Sequence, residues 1–237
     1  MAEIQDLILR HFPPETHPYR VLERRIDQSL FPGATVLDIG CGRGAPNLIR
    51  LRGRASRLIG IDLVSFIVDD PDLQLIQTSV EQMPMVGSGE VDLAYSRAVM
   101  EHLENPAAAL REIARVLKPG GRYIALTPSF WDYGSIIAWI VPNAFHGKIV
   151  KFSEGRDEVD TFPTHYRANT KTALRRLAED AGLQIDSAEY LGQYPTYFRW
   201  NRPLFRLATQ YEKFIARYRF LHPLRGWMLY ELTRPAR

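Results

Sequence analysis

The sequence predicts an α/β protein: a seven-stranded, mostly parallel sheet with helices on both faces, in one domain that carries inserted lid segments. Three observations carry this. Short apolar runs alternate with stretches of helical periodicity, the pattern of parallel βαβ units. The first run passes directly into a glycine-rich turn, Gly40-Cys41-Gly42-Arg43-Gly44. The chain, 237 residues with 46% hydrophobic and 24% charged side chains, suits a single core and contains no repeat or linker that would divide it.

Taken in order, residues 18–31 read as a helix. Pro18 suits the first turn, Val21, Leu22, Ile26 and Leu30 form one stripe, and Pro32-Gly33 stops it. Residues 34–40 read as a buried strand, and the turn that follows leads into a helix. Further strands are predicted at 57–62, 72–79 and 91–96. Asn105 caps and Pro106 opens a helix over 105–117, with Leu110, Ile113 and Leu117 on one face. Pro119-Gly120-Gly121 turns the chain into a fifth strand, 122–127. Residues 128–168, rich in aromatics and turn formers, break the pattern. Asn169 or Thr170 then caps a helix running through Ala181, which Gly182 ends. A sixth strand at 183–190, a helix at roughly 202–219 and a seventh strand at 227–233 complete the chain.

Composition excludes several classes. No apolar run is long enough to cross a bilayer; the longest, from Ile136 to Val141, stops at Pro142. Glu3 and Asp6 stand where a signal peptide would be apolar, so none is expected. The single cysteine, Cys41, excludes an internal disulfide, and a reducing cytoplasm is expected. The net charge of +3 is uneven: residues 199–237 hold nine Lys and Arg against Glu212 and Glu231, an excess of seven positive charges, which leaves −4 elsewhere. Such a segment suits an acidic substrate, a nucleic acid or an anionic membrane, or is simply a solvated helix face.

The glycine turn carries the chemistry. Glycines at alternate positions remove side chains where a ligand must approach the backbone. Asp62, about twenty residues beyond the turn at the end of the second strand, is placed to accept hydrogen bonds from ribose hydroxyls. A dinucleotide is disfavoured on two grounds. The G-x-G-x-x-G spacing fails because position 45 is alanine, and Asp38 would repel a pyrophosphate while attracting an ammonium or sulfonium.

At these residues the sequence resembles the class I S-adenosylmethionine-dependent methyltransferases, in their small-molecule branch. VLDIGCGRG matches the family's first motif and GID the acidic end of its second strand. VDLAYSRAVMEHLENP and LREIARVLKPGGRYIALT match the region of strands four and five. The resemblance implies a Rossmann-like fold, S-adenosyl-L-methionine as methyl donor and S-adenosyl-L-homocysteine as product. It implies a single methyltransferase domain over 1–237. Within it, 1–33 is an N-terminal helical segment, 34–127 the cofactor-binding core, and 128–168 and 190–226 acceptor-side insertions. Carried over residue by residue, Asp38 and Gly40 lie by the methionine part, with Gly42 and Gly44 letting the loop close. Asp62 holds the ribose, Ser96 offers backbone or side-chain contacts to the methionyl amine, and Arg20 reaches the methionine carboxylate. Two departures stand out. Where the family often has an aspartate for the adenine amino group, this chain has Ser79 followed by Val80, so adenine contacts fall to Ser79 and to backbone near Val80 and Glu81. The stretch after Asp62 is also too short for the usual helix.

Methyl transfer draws much of its rate from positioning, and a hydroxyl acceptor gains from a base, usually histidine. His146 and His165 in the insertion are the candidate bases, while His102 is read as shaping the fourth-strand loop. No spacing of His, Cys, Asp and Glu marks a metal site. The leading function is methylation of an oxygen or nitrogen on a small metabolite, such as a sugar or natural-product intermediate. The alternatives are a lipid-linked acceptor at a membrane surface, given the amphipathic stretch around 204–218, and a non-catalytic domain that binds S-adenosylmethionine as sensor or partner subunit. The small net charge and the lack of a recognised binding module argue against a nucleic-acid substrate.

Overall fold

The computed structural model describes residues 2–140 and 162–236. Its strands are β1 (Thr35–Ile39), β2 (Arg57–Asp62), β3 (Leu73–Gln77), β4 (Val91–Arg97), β5 (Leu117–Pro128), β6 (Gln184–Leu191) and β7 (Trp227–Thr233). They form one sheet in the order β3-β2-β1-β4-β5-β7-β6. Neighbours from β3 to β5 pair in parallel, and β7 runs antiparallel between β5 and β6. The order reverses between β1 and β4, and in open α/β sheets ligands bind beyond the carboxyl ends of strands at such a point.

The helices are α1 (Ala2–His11), α2 (Pro18–Ser29), α3 (Pro46–Ile49), α4 (Pro106–Val116), α5 (Tyr133–Ile140), α6 (Lys171–Asp180) and α7 (Arg202–Arg217). They cover both faces because the central strands are apolar on both. Along β1, Val36 packs with Leu22, Ile26 and Leu48 of α2 and α3, while the next residue, Leu37, packs with Leu110, Ile113, Leu174 and Ala178 of α4 and α6. Side-chain caps start the helices: Asn105 accepts from Ala108 N at 3.1 Å, Thr170 from Ala173 N at 3.2 Å and Asn201 from Leu204 N at 3.1 Å. Of the two residues expected to cap α6, Thr170 does so; Asn169 is buried and serves elsewhere.

Several local expectations change. The N-terminal segment contains two helices, since Ile4 and Ile8 of α1 pack on Phe205 of α7. The helix opened by the glycine turn is a single turn: Ala45 sits at φ +43, Pro46 follows it, and the chain passes into turns at 51–54. Pro119-Gly120-Gly121 is not a turn before β5 but a bulged part of it, where the pairing with β4 slips between Val91 and Leu93. Residues 63–72 contain no helix, in keeping with their length.

Phe205 is fully buried and joins α1 to α7. Phe205→Ala is expected to lower unfolding free energy by about 3 kcal/mol through the lost transfer energy and the cavity left behind. Denaturant titration checks this; an unchanged midpoint would show that α1 is not docked there.

Candidate functional site

The turn after β1 is fastened to the end of β2. Gly40 N and Cys41 N both donate to Ile61 O, at 2.8 and 3.2 Å, and Gly42 N donates to Asp62 Oδ2 at 2.7 Å. The other oxygen of Asp62 accepts from Val64 N at 3.2 Å. The glycines do different things. Gly40 has φ +74, and a Cβ there would stand 2.3 Å from Val99 Cγ2, so its space is taken by protein, not held for a ligand. Gly42 (φ +72) and Gly44 have nothing within 4 Å of a Cβ position, so the turn is open there.

Asp38, at the end of β1, is 1% exposed, and its Oδ2 has no hydrogen-bond partner. Burial lifts its carboxyl to about 7, against the opposing pull of the Tyr95 hydroxyl and of Arg97; the neighbouring charge of Asp62 adds to the lift. A buried carboxylate with one oxygen lacking a partner, beside a second acid, is suited to a cationic group. Burial also pushes the adjacent Cys41 thiol up, which makes it a packing group.

In the loop after β3, Ser79 Oγ accepts from Glu81 N at 3.1 Å, and Glu81 in turn accepts from Asn105 N at 2.8 Å, so this loop is tied to the start of α4. Val80 is buried. Two expected side-chain contacts point elsewhere. The Ser96 hydroxyl is fully buried and bonded to the Tyr123 hydroxyl at 2.7 Å, turned into the core; only its backbone remains for an amine. Arg20 is a surface residue paired with Glu23 at 2.7 Å, because its place on α2 faces solvent. The neighbouring Tyr19 is the residue that turns inward. Its ring packs edge-on to Trp227 with centroids 5.4 Å apart, and the Arg97 guanidinium lies over it at 4.7 Å. Arg97 is thereby held at the end of β4, where its charge acts on Asp38.

Beyond the ends of β4 and β5 lies a cavity of about 420 Å³. It is lined by Glu101, His102, Asp132, Tyr166 and Tyr197, with Tyr19 and Trp227 on its α2 side. Its walls come from both insertions and from the N-terminal segment. Glu101 is 3% exposed, and Oε2 accepts from Thr127 Oγ1 at 2.9 Å; Thr127 Oγ1 accepts from Asn169 Nδ2 at 2.7 Å. Burial raises the Glu101 carboxyl above the usual range, opposed by His102. His102 Nδ1 lies 2.9 Å from Pro163 O, which can only accept, so Nδ1 donates there and Nε2 faces Glu101 Oε1 at 3.8 Å. Burial lifts Asp132 to about 6 despite hydrogen bonds from backbone N–H groups including Gly134 N. The candidate base His165 stands elsewhere. Its ring is 3.9 Å from Glu104 Oε1, a side chain 81% exposed, and it does not line the cavity; what it gives the site is its backbone N–H, donated to Glu101 O at 2.7 Å. His146 lies outside the described residues. The sequence reading missed Glu101, Asp132, Arg97 and Asn169. The one signal for the first was its place beside His102 after β4.

An open α/β sheet with a glycine cradle at its switch point, an unpaired buried acid before it and a ribose-competent acid after it defines an S-adenosylmethionine-dependent methyltransferase of class I. A family model described as a methyltransferase domain matches residues 5–188. The chain belongs to this family, with S-adenosylmethionine as its cofactor. A ubiquinone biosynthesis O-methyltransferase from Xanthomonas axonopodis pv. citri is 31% identical over 174 residues, 65% of this chain and 64% of that one. One from Albidiferax ferrireducens is 34% identical over 101 residues, covering 38% and 39%. The chain thus spans less than two thirds of the length of either relative. An S-adenosylmethionine-dependent methyltransferase from Mesorhizobium loti shares the fold at TM-score 0.60 and 16% identity, over 93% of this chain and 99% of that one. Geranyl diphosphate C-methyltransferase from Streptomyces coelicolor A3(2) does so at 0.57 and 20%, over 91% and 79%.

The residues present fit the cofactor: Asp38 Oδ2 has a lone pair to offer a cation, and Gly42 and Gly44 leave room for it. Two outcomes follow. A cationic ligand group pairs with ionised Asp38, so S-adenosylhomocysteine affinity should rise with pH through about 7. Asp38→Asn should flatten that dependence and weaken binding about 10-fold or more. The folded pKa is raised above 3.8, so the native carboxyl costs stability as pH climbs from there towards 7. The same substitution should therefore stabilise the ligand-free protein at neutral pH. Calorimetry and thermal melts test both, and a pH-independent affinity in the parent would remove Asp38 from the site. Separately, Gly42→Ala should fold with a backbone cost of about 1 kcal/mol and lose most cofactor affinity, whereas Gly40→Val should fail by clashing with Val99. Equal affinity in Gly42→Ala and the parent would refute the cradle.

Proposed function

We propose that this protein methylates a hydroxyl oxygen of a small metabolite held in the cavity beyond β4 and β5. The observation that carries the reading is the pair formed by buried Glu101 and His102, whose Nδ1 is engaged by Pro163 O and whose Nε2 faces Glu101 at the cavity. The names of the ubiquinone O-methyltransferase relatives support oxygen as acceptor atom. Gly42 and Gly44 admit the cofactor, Asp62 accepts from its ribose, Asp38 faces its cationic end, and Arg97, in place of Arg20, takes its carboxylate. S-adenosylmethionine, when bound, supplies a methyl carbon already activated by the sulfonium. The protein's task is then to hold the acceptor oxygen in line and to remove its proton. His102 Nε2 accepts that proton, and Glu101, fixed by Thr127 and Asn169, steadies the imidazolium that results. Aromatic Tyr19, Tyr166, Tyr197 and Trp227 suit a flat or ring-bearing acceptor.

A methyl-transfer assay against pooled hydroxyl- and amine-bearing metabolites, read by S-adenosylhomocysteine release, separates this from an amine acceptor and from a sensor that does not turn over. His102→Ala and Glu101→Gln should lower kcat on the order of 10²-fold, with cofactor affinity unchanged. His165→Ala should have little effect. Full activity in His102→Ala, or turnover confined to amines, would sink the base assignment.

A further inference from the structure

A second cavity, of about 660 Å³, opens where the N-terminal segment meets α7 and the β6 edge of the sheet. It is larger than the one beyond β4 and β5, and no described residue lines both. Four cations reach its walls from three parts of the chain: Arg24 and Arg25 from α2, Lys213 from α7, and Arg225 from the stretch before β7. Two acids, Glu189 and Glu212, stand among them. Part of the floor is Gly192, where a Cβ would stand 3.2 Å from Arg225 Nη2 and 3.4 Å from Glu212 Oε2.

The acids do not cancel the cations. Glu189 lies 2.9 Å from Arg25, and Glu231 lies 3.1 Å from the same guanidinium, so Arg25 is matched within the protein. Burial and the charge of Asp132 push Glu212 up to about 8 against the pull of Arg225, which leaves it mostly protonated at neutral pH. The other three cations pair with no acid within 4 Å among the described residues. Arg24 donates to Glu15 O at 3.0 Å, Lys213 Nζ lies 3.5 Å from His11 Nε2, and Arg225 Nη1 donates to Tyr190 O at 2.6 Å. These contacts aim the groups without neutralising them. Arg225 is half-buried, and its Nε has no hydrogen-bond partner among the described residues. Burial works against its charge, and an anion brought beside it would offset that cost.

We propose that this cavity binds the phosphate of a small phosphorylated metabolite, its oxygens against Arg24, Lys213 and Arg225 and its carbon part against Phe12, Val21 and Leu191. Three cations arriving from three elements suit the three free oxygens of a phosphate ester better than the two of a carboxylate. The site is separate from the acceptor cavity, and the inference does not rest on the methylation of a hydroxyl.

The test is calorimetric titration of the full chain with inorganic pyrophosphate at low salt, with S-adenosylhomocysteine present at saturation so that the cofactor site is filled. Binding at a single site with a Kd of about 1 mM or below is expected, with acetate binding more weakly. The double variant Arg24→Gln, Lys213→Gln changes two exposed residues, so it should fold, and it should bind pyrophosphate about 10-fold or more weakly. The double variant Arg175→Gln, Arg176→Gln removes the same charge from the exposed face of α6 and should bind as the parent does. The proposal is overturned if pyrophosphate does not bind, if acetate binds equally well, if the first double variant binds like the parent, or if both double variants lose affinity alike.

Discussion

The backbone clasp between the first turn and the second strand is the constraint on which the rest depends. Two N–H groups, from Gly40 and Cys41, share the carbonyl of Ile61, and a third, from Gly42, reaches the Asp62 carboxylate. This clasp sets the spacing of β1 and β2 at their carboxyl ends. It holds Asp62 in place while leaving lone pairs for hydroxyls. Val99 then packs into the space a side chain at position 40 would fill, so the loop after β4 takes its position from the same turn. Glu101 and His102 follow Val99 within three residues. One clasp therefore sets the open glycine turn and the cavity beyond β4 and β5 in a common frame, the shared reference that the proposed methyl transfer requires.

The site is expensive to build. Asp38, Glu101 and Asp132 are all buried acids whose carboxyls burial raises, the last to about 6. A structural core would fill such positions with apolar side chains. Their clustering at the carboxyl edge of the sheet is the pattern expected where binding and proton movement are served at a cost in stability.

What the sequence showed and hid divides along physical lines. All seven strands were legible: the central ones are buried on both faces and so nearly continuously apolar, while the edge strands β3 and β6 mix apolar with polar residues between turn residues. The cradle was legible at Gly42 and Gly44 because open backbone demands missing side chains. Gly40 looked the same in sequence, yet it is fixed by a neighbour 59 positions on, which no local pattern reveals. The Ser96 side chain and Arg20 point elsewhere for a related reason: a hydroxyl or guanidinium has several directions open to it, and the Tyr123 hydroxyl and Glu23 determine which is taken. The candidate histidines were chosen by residue type in irregular stretches, where burial cannot be read. His165 turned out to serve through its backbone. The acids of the cavity were hidden because a carboxylate in a loop reads as solvated until the fold closes over it.

The same backbone contacts bear on how the acceptor side can vary. Phe130 N donates to Asn169 O, and His165 N and Tyr166 N donate to Glu101 O, so both ends of the excursion from β5 are pinned to one small network. The clasp at β1 shares none of these hydrogen bonds, so a substitution in one polar network leaves the bonds of the other in place.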